Sequence, residues 1–176
     1  MQARDAWQQL RRCRQSLEQR LGYPLTTLRL GHSLGCKLHL LAPDGGRGCR
    51  GLAALSFNNF TADRSIPLLG TVAPALGVVT EFSPGPEETL KLIGRYYLQP
   101  NNLVVRFGND ALDQSPDLLQ TLQSRDQDAS EFLQMSGDHL TPASAGLRQG
   151  LLGDWADDPA KKKRIRRLTD ALVAMI

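Results

Sequence analysis

Two kinds of apolar pattern alternate along the chain, one repeating every three or four residues and one running almost unbroken. Trp7, Leu10, Cys13, Leu17 and Leu21 recur at three- and four-residue steps, which puts them on one face of a helix. Gly22 supplies the left-handed stop that ends such a helix. LTTLRL (25–30) reads as a short strand leading straight into GHSLG (31–35), and GCKLHLLA continues as a helix until Pro43-Asp44-Gly45-Gly46 breaks it. GLAALSFN (51–58) is nearly all apolar, the pattern of a strand covered on both faces. PEETLKLIGRYYL (86–98) is a helix with proline at its first position and acids in its first turn. Its Tyr96 and Tyr97 are expected to pack against a sheet. NLVVRFG (102–108) is a strand rich in β-branched residues, and SPDLLQTLQ opens a helix with Ser115 as cap and Pro116 first inside. SEFLQMSG (130–137) is the fourth strand, with a further helix expected from near Thr141-Pro142. The last helix, from about Asp158 to Ile176, is expected to turn Ile165, Leu168, Leu172, Val173 and Ile176 inward.

Strand–helix alternation of this kind predicts the α/β class, with about four parallel strands and helices on both faces. One domain, 1–176, is expected. Within it, 59–85 forms a short lid-like insertion and 158–176 a basic amphipathic terminal helix. The insertion's Ile66, Leu68, Leu69, Val72 and Leu76 would line an acyl pocket or pack as core.

Composition narrows the class. A chain of 176 residues can bury a core without disulfides or metal. No apolar run is long enough to span a bilayer, and MQARDAWQQL lacks the order of a signal peptide. Cys13, Cys36 and Cys49 match neither a disulfide framework nor a CxxC site, so a reducing compartment is expected, cytoplasm or organelle stroma. Cys36 and His39 stand three apart on one helix without further partners, and neither a metal nor a cofactor is expected. A net charge of +3 does not point to nucleic acid. KKKRIRR (161–167) is read as the wet face of the terminal helix, with peripheral membrane contact as the functional alternative. It lacks the interleaved aromatics of a single-strand nucleic-acid site.

In open α/β sheets, reactive groups gather beyond the carboxyl ends of strands. Ser33 follows the first strand, Asp110 and Asp113 the third, and His139 the fourth. The order is serine, acid, histidine. A nucleophile elbow needs a strained strand-to-helix turn, and Gly31 and Gly35 flank Ser33 without side chains to collide there. His32 is expected to shape the elbow, and the Leu34 N–H to face developing negative charge. The bland alternative for Ser33 is a helix cap. His139 would act as general base, and an aspartate would hold its tautomer. Asp110 is preferred over Asp113 because it stands nearer the strand end, which leaves Asp113 to cap the helix at Ser115. His39 is expected to be a packed or surface residue.

GHSLG, ALSFNNFTADRSIPLL, EFSPGPEETL, VVRFGNDALDQSP and MSGDHLTP together resemble an uncharacterised α/β-hydrolase-like family of cyanobacteria and plant plastids, catalogued as a domain of unknown function. The resemblance runs from about Tyr23 to Gly146. It implies an α/β-hydrolase fold and a Ser33, aspartate, His139 triad, and it carries no substrate. Members of that family look longer ahead of the elbow, whereas here one helix precedes it. The chain therefore reads as the C-terminal part of the fold without its N-terminal strands. On this reading the second oxyanion donor is missing, and the 25–30 strand has an open edge at which a second chain could add. An incomplete reading frame is preferred to a partner-covered edge. The leading expectation is a serine hydrolase of an ester or thioester with an apolar acyl group, impaired by the truncation. The alternative is a non-catalytic scaffold or binding module of the same fold.

Overall fold

The computed structural model describes residues 3–59, 84–126, 130–139, 141 and 159–176. The lid-like insertion expected over 59–85, but for its two ends, and the helix expected from Thr141-Pro142 lie outside the described residues. The elements in order are α1 (Ala3–Leu21), β1 (Leu28–His32), α2 (Leu34–Leu40), β2 (Gly51–Leu55), α3 (Pro86–Tyr96), β3 (Asn102–Phe107), α4 (Ser115–Gln123), β4 (Ser130–Met135) and α5 (Pro159–Ala174). Among the described residues the strands form one sheet in the order β1-β2-β3-β4, every neighbouring pair parallel. His32 stands level with Leu55, Leu55 with Val105, and Val105 with Leu133, so the carboxyl ends line up along one edge.

Strand alternation sorts the core into two layers. Leu52, Ala54 and Val104 face α2, α3 and α4, where Cys36, Leu40, Ile93, Tyr97, Leu118 and Leu122 meet them. Ala53, Leu55, Leu103, Val105 and Phe107 face the other way, against Leu168, Leu172 and Met175 at α5. Helices thus cover both faces, as unbroken apolar strands require. Among the described residues, no helix is long and apolar enough to cross a membrane.

On α1, Leu10, Leu17 and Leu21 are 46–48% exposed and Cys13 is exposed, because no described element covers that face. Three expectations need correction here. On α5 only Leu168 and Leu172 of the expected set pack inward, while Ile165, Val173 and Ile176 are exposed. The sheet offers α5 a narrow contact, one line of side chains rather than the whole apolar arc. Tyr97 is buried, with its hydroxyl donating to Asn102 Oδ1 at 2.9 Å, but Tyr96 is exposed. Ser115 lies inside α4, whose cap position is Gln114: the Leu118 N–H donates to the Gln114 carbonyl.

α1 stays attached through Trp7. Its indole N–H donates to the Leu38 carbonyl at 2.8 Å, its ring meets the His39 ring edge-on, and the Arg29 guanidinium lies 4.6 Å from its centre. Arg14, bonded to the Gly48 and Leu25 carbonyls, ties the far end. Trp7→Ala should therefore cost about 2 kcal/mol, below the value for a fully buried tryptophan because the residue is only partly buried. The midpoint of urea unfolding measures this. An unchanged midpoint would mean that α1 does not depend on the ring.

Candidate active site

Ser33 sits between β1 and α2 with φ 56 and ψ −128, a left-handed backbone that favours glycine and costs about 1–3 kcal/mol in other residues. Three contacts hold it there. The Ser33 N–H donates to the Leu55 carbonyl at 3.0 Å, the Cys36 N–H donates to the Ser33 carbonyl at 3.1 Å, and β1 and α2 close tightly behind the turn. That closeness explains Gly31, where a Cβ would lie 2.7 Å from Cys36 Cα and 2.8 Å from Cys36 N. Gly35 is different: a Cβ there meets nothing within 4 Å, so the expected collision does not exist. Ser33 is not an ordinary side-chain cap either, as its hydroxyl makes no capping bond to α2. Leu34 opens α2, and the first N–H groups of a helix have no acceptor within it. Cys36 points inward, with its thiol on the Leu55 carbonyl and burial pushing its pKa up to about 12, which makes it packing rather than a nucleophile.

A carboxylate reaches the site from the turn after β3. Asp110 is buried, and its Oδ1 accepts the Leu112 N–H at 2.9 Å. That bond leaves Oδ2 to face His139 Nδ1 at 2.8 Å. Asp113 goes elsewhere: its Oδ1 accepts the Ser115 N–H at 3.2 Å and the Ser115 hydroxyl at 2.5 Å, and its Oδ2 lies 3.3 Å from Arg106 Nε. Burial raises the Asp113 pKa. The Ser115 hydroxyl in turn accepts the Phe57 N–H at 3.2 Å, so this cluster fastens α4 to the end of β2.

His139 follows β4 in a turn closed by Asp138 and Thr141, which exchange hydrogen bonds of 2.8 and 3.0 Å. Gly137, at φ 136, is needed because a Cβ there would strike the Thr141 side chain. The Asn109 N–H donates to the Gly137 carbonyl at 2.8 Å, which ties the Asp110 loop to the His139 loop. His139 Nε2 then lies 2.9 Å from Ser33 Oγ. A carboxylate can only accept, so the Asp110 contact puts the ring proton on Nδ1 and leaves Nε2 free to accept the Ser33 hydroxyl proton.

Residues 33, 110 and 139 therefore form one hydrogen-bonded line across the carboxyl ends of β1, β3 and β4, and Asp113 stands apart from it. Sequence reasoning missed two things. Ser56, just past β2, also has left-handed backbone at φ 47, and its buried hydroxyl has no hydrogen-bond partner among the described residues. Nothing in a lone serine after an apolar run signals that. The other is the reach of His32, whose Nε2 lies 2.8 Å from the His139 main-chain oxygen, a contact across 107 positions of chain that no local pattern encodes.

A family model described as a protein of unknown function, DUF1350, matches residues 2–156. The chain belongs to the DUF1350 family. The match starts ahead of the Tyr23–Gly146 span over which the motifs suggested a resemblance, and it takes in all of α1. No curated protein matches the chain in sequence. Among solved structures, this DUF1350 chain is similar to a monoacylglycerol lipase of Paleococcus ferrophilus, with a TM-score of 0.63 at 12% identity, over 100% of this chain and 77% of that one. It is also similar to a thioesterase domain from the curacin biosynthetic pathway, with a TM-score of 0.53 at 13% identity, over 86% of this chain and 73% of that one. At such identities the likeness concerns the fold alone. The fold is that of the α/β hydrolases.

Proposed function

We propose that this DUF1350 chain is a serine hydrolase acting on a carboxylic ester or thioester with an apolar acyl group. The observation that carries the reading is the line Ser33 Oγ, His139 Nε2, His139 Nδ1, Asp110 Oδ2, with contacts of 2.9 and 2.8 Å and the ring proton in the tautomer that lets Nε2 act as base. Two solved α/β hydrolases that share the fold are a lipase and a thioesterase domain, and both names support an acyl substrate.

Ser33 Oγ attacks the acyl carbonyl carbon as its proton passes to His139 Nε2. Asp110, already holding Nδ1–H, stabilises the imidazolium that results. The carbonyl oxygen takes up the negative charge, and the Leu34 N–H is the donor placed next to the nucleophile to receive it. When the tetrahedral species collapses, the leaving alcohol or thiol takes the proton from His139. Water, deprotonated by His139, then attacks the acyl-serine and releases the acid.

A fluorophosphonate probe tests this without knowledge of the substrate, because it phosphonylates a serine only when that serine is activated. The expected result is a single adduct on the peptide containing Ser33, abolished in Ser33→Ala. A folded chain that takes up no probe at Ser33 would sink the reading.

A further inference from the structure

The same site contains a second imidazole, which the reaction above does not use. His32 is the last residue of β1, half-buried, and its ring stands 5.0 Å from that of His139, centroid to centroid, tilted by 39°. Its Nε2 lies 2.8 Å from the His139 main-chain oxygen. A carbonyl can only accept, so His32 Nε2 carries the proton and donates. Burial pulls the His32 pKa below its ordinary value, in keeping with a neutral ring holding one proton there.

The bond matters because of where His139 is anchored. Its loop is tied to the neighbouring β3 loop through Gly137 and closed on itself through Asp138 and Thr141. Neither tie reaches Ser33, which stands on the far side of the sheet, beyond β2 and β3. The side chain next to Ser33 in the chain makes that connection.

We infer that His32 is a positioning residue: its Nε2–H fixes the His139 main chain relative to the elbow and so sets the distance from His139 Nε2 to Ser33 Oγ. The inference rests on the hydrolase reading for its catalytic consequence, but the contact itself can be read without turnover. Moving a catalytic group by about 1 Å costs on the order of a hundredfold in rate. A glutamine carries an amide N–H about as far from the backbone as histidine Nε2, an asparagine reaches only as far as Nδ1, and a leucine fills space without donating.

The test compares His32→Gln, His32→Asn and His32→Leu in the full chain by two measurements. One is the rate of fluorophosphonate labelling at Ser33. The other is the downfield proton NMR resonance of His139 Nδ1–H, which reports its bond to Asp110 and needs no catalysis. His32→Gln should label within about threefold of the parent and keep the resonance. His32→Asn and His32→Leu should label about 10- to 100-fold more slowly and lose or broaden it, with thermal melts close to the parent's. Parent-like labelling and resonance in His32→Leu would overturn the inference, as would His32→Gln behaving like His32→Leu. If His32→Leu does not fold, His32→Asn against His32→Gln makes the same distinction. If the parent itself is never labelled, the hydrolase reading falls, and the resonance alone decides the role of His32.

Discussion

Asparagine at position 110 is expected to slow hydrolysis of a chromogenic ester about 10⁴-fold, with the fold and its melting temperature nearly unchanged. The reason lies in the second oxygen of the carboxylate. Oδ1 accepts the Leu112 N–H, so an asparagine there must keep its oxygen on that side and turn its amide nitrogen toward His139 Nδ1. The amide donates, Nδ1 has to accept, and the ring proton moves to Nε2. An Nε2 that carries a proton cannot take one from Ser33. Asp113→Asn should change the rate by less than about tenfold, because its carboxylate bonds Ser115 and lies beside Arg106 instead of meeting His139. Rates and urea midpoints for the two variants, measured side by side, separate chemistry from folding. Equal losses in both, or a larger loss in Asp113→Asn, would show that the acid has been misassigned.

That contrast also marks how far the sequence could be read. Strands buried on both faces announce themselves, since 51–55 and 102–107 have little room for polar residues and turn signals bound them. Once the parallel order is inferred, the ends of β1, β3 and β4 must share one edge, which puts a serine, an acid and a histidine on the same side of the sheet; how close they come depends on the loops that carry them. Choosing between Asp110 and Asp113 is harder. Both lie in one short turn, and strand-end proximity favours Asp110, but what separates them is the Leu112 amide on one and the Ser115 hydroxyl on the other. The helical stripes show a different limit. Periodicity says which residues share a face, not whether anything covers that face. Leu10, Leu17 and Leu21 do lie along one side of α1, and Ile165 and Val173 fit the apolar arc of α5, yet all five are exposed. Coverage depends on what stands opposite, and that is a tertiary fact.

The two elbow glycines divide in the same way, and alanine at each should show it. Gly31→Ala places a Cβ 2.7 Å from Cys36 Cα, 2.8 Å from Cys36 N and 3.0 Å from Gly35 C, all main-chain atoms of the first turn of α2. No flexible side-chain end can yield, so α2 must move away from β1. Overpacking of this kind costs about 1–3 kcal/mol. The displacement reaches function directly, because Ser33 and the Leu34 N–H lie on the segment that moves. A shift of about 1 Å there should slow labelling of Ser33 on the order of a hundredfold. Gly35→Ala meets open space inside a helix, where alanine is the better residue, so stability should hold or rise by about 0.5–1 kcal/mol. Urea midpoints for both variants and the labelling rate of Gly31→Ala settle the comparison. If Gly31→Ala unfolds with the parent and labels as fast, the close approach of β1 and α2 is not what holds Ser33 in its strained conformation, and the bond from its N–H to the Leu55 carbonyl must suffice.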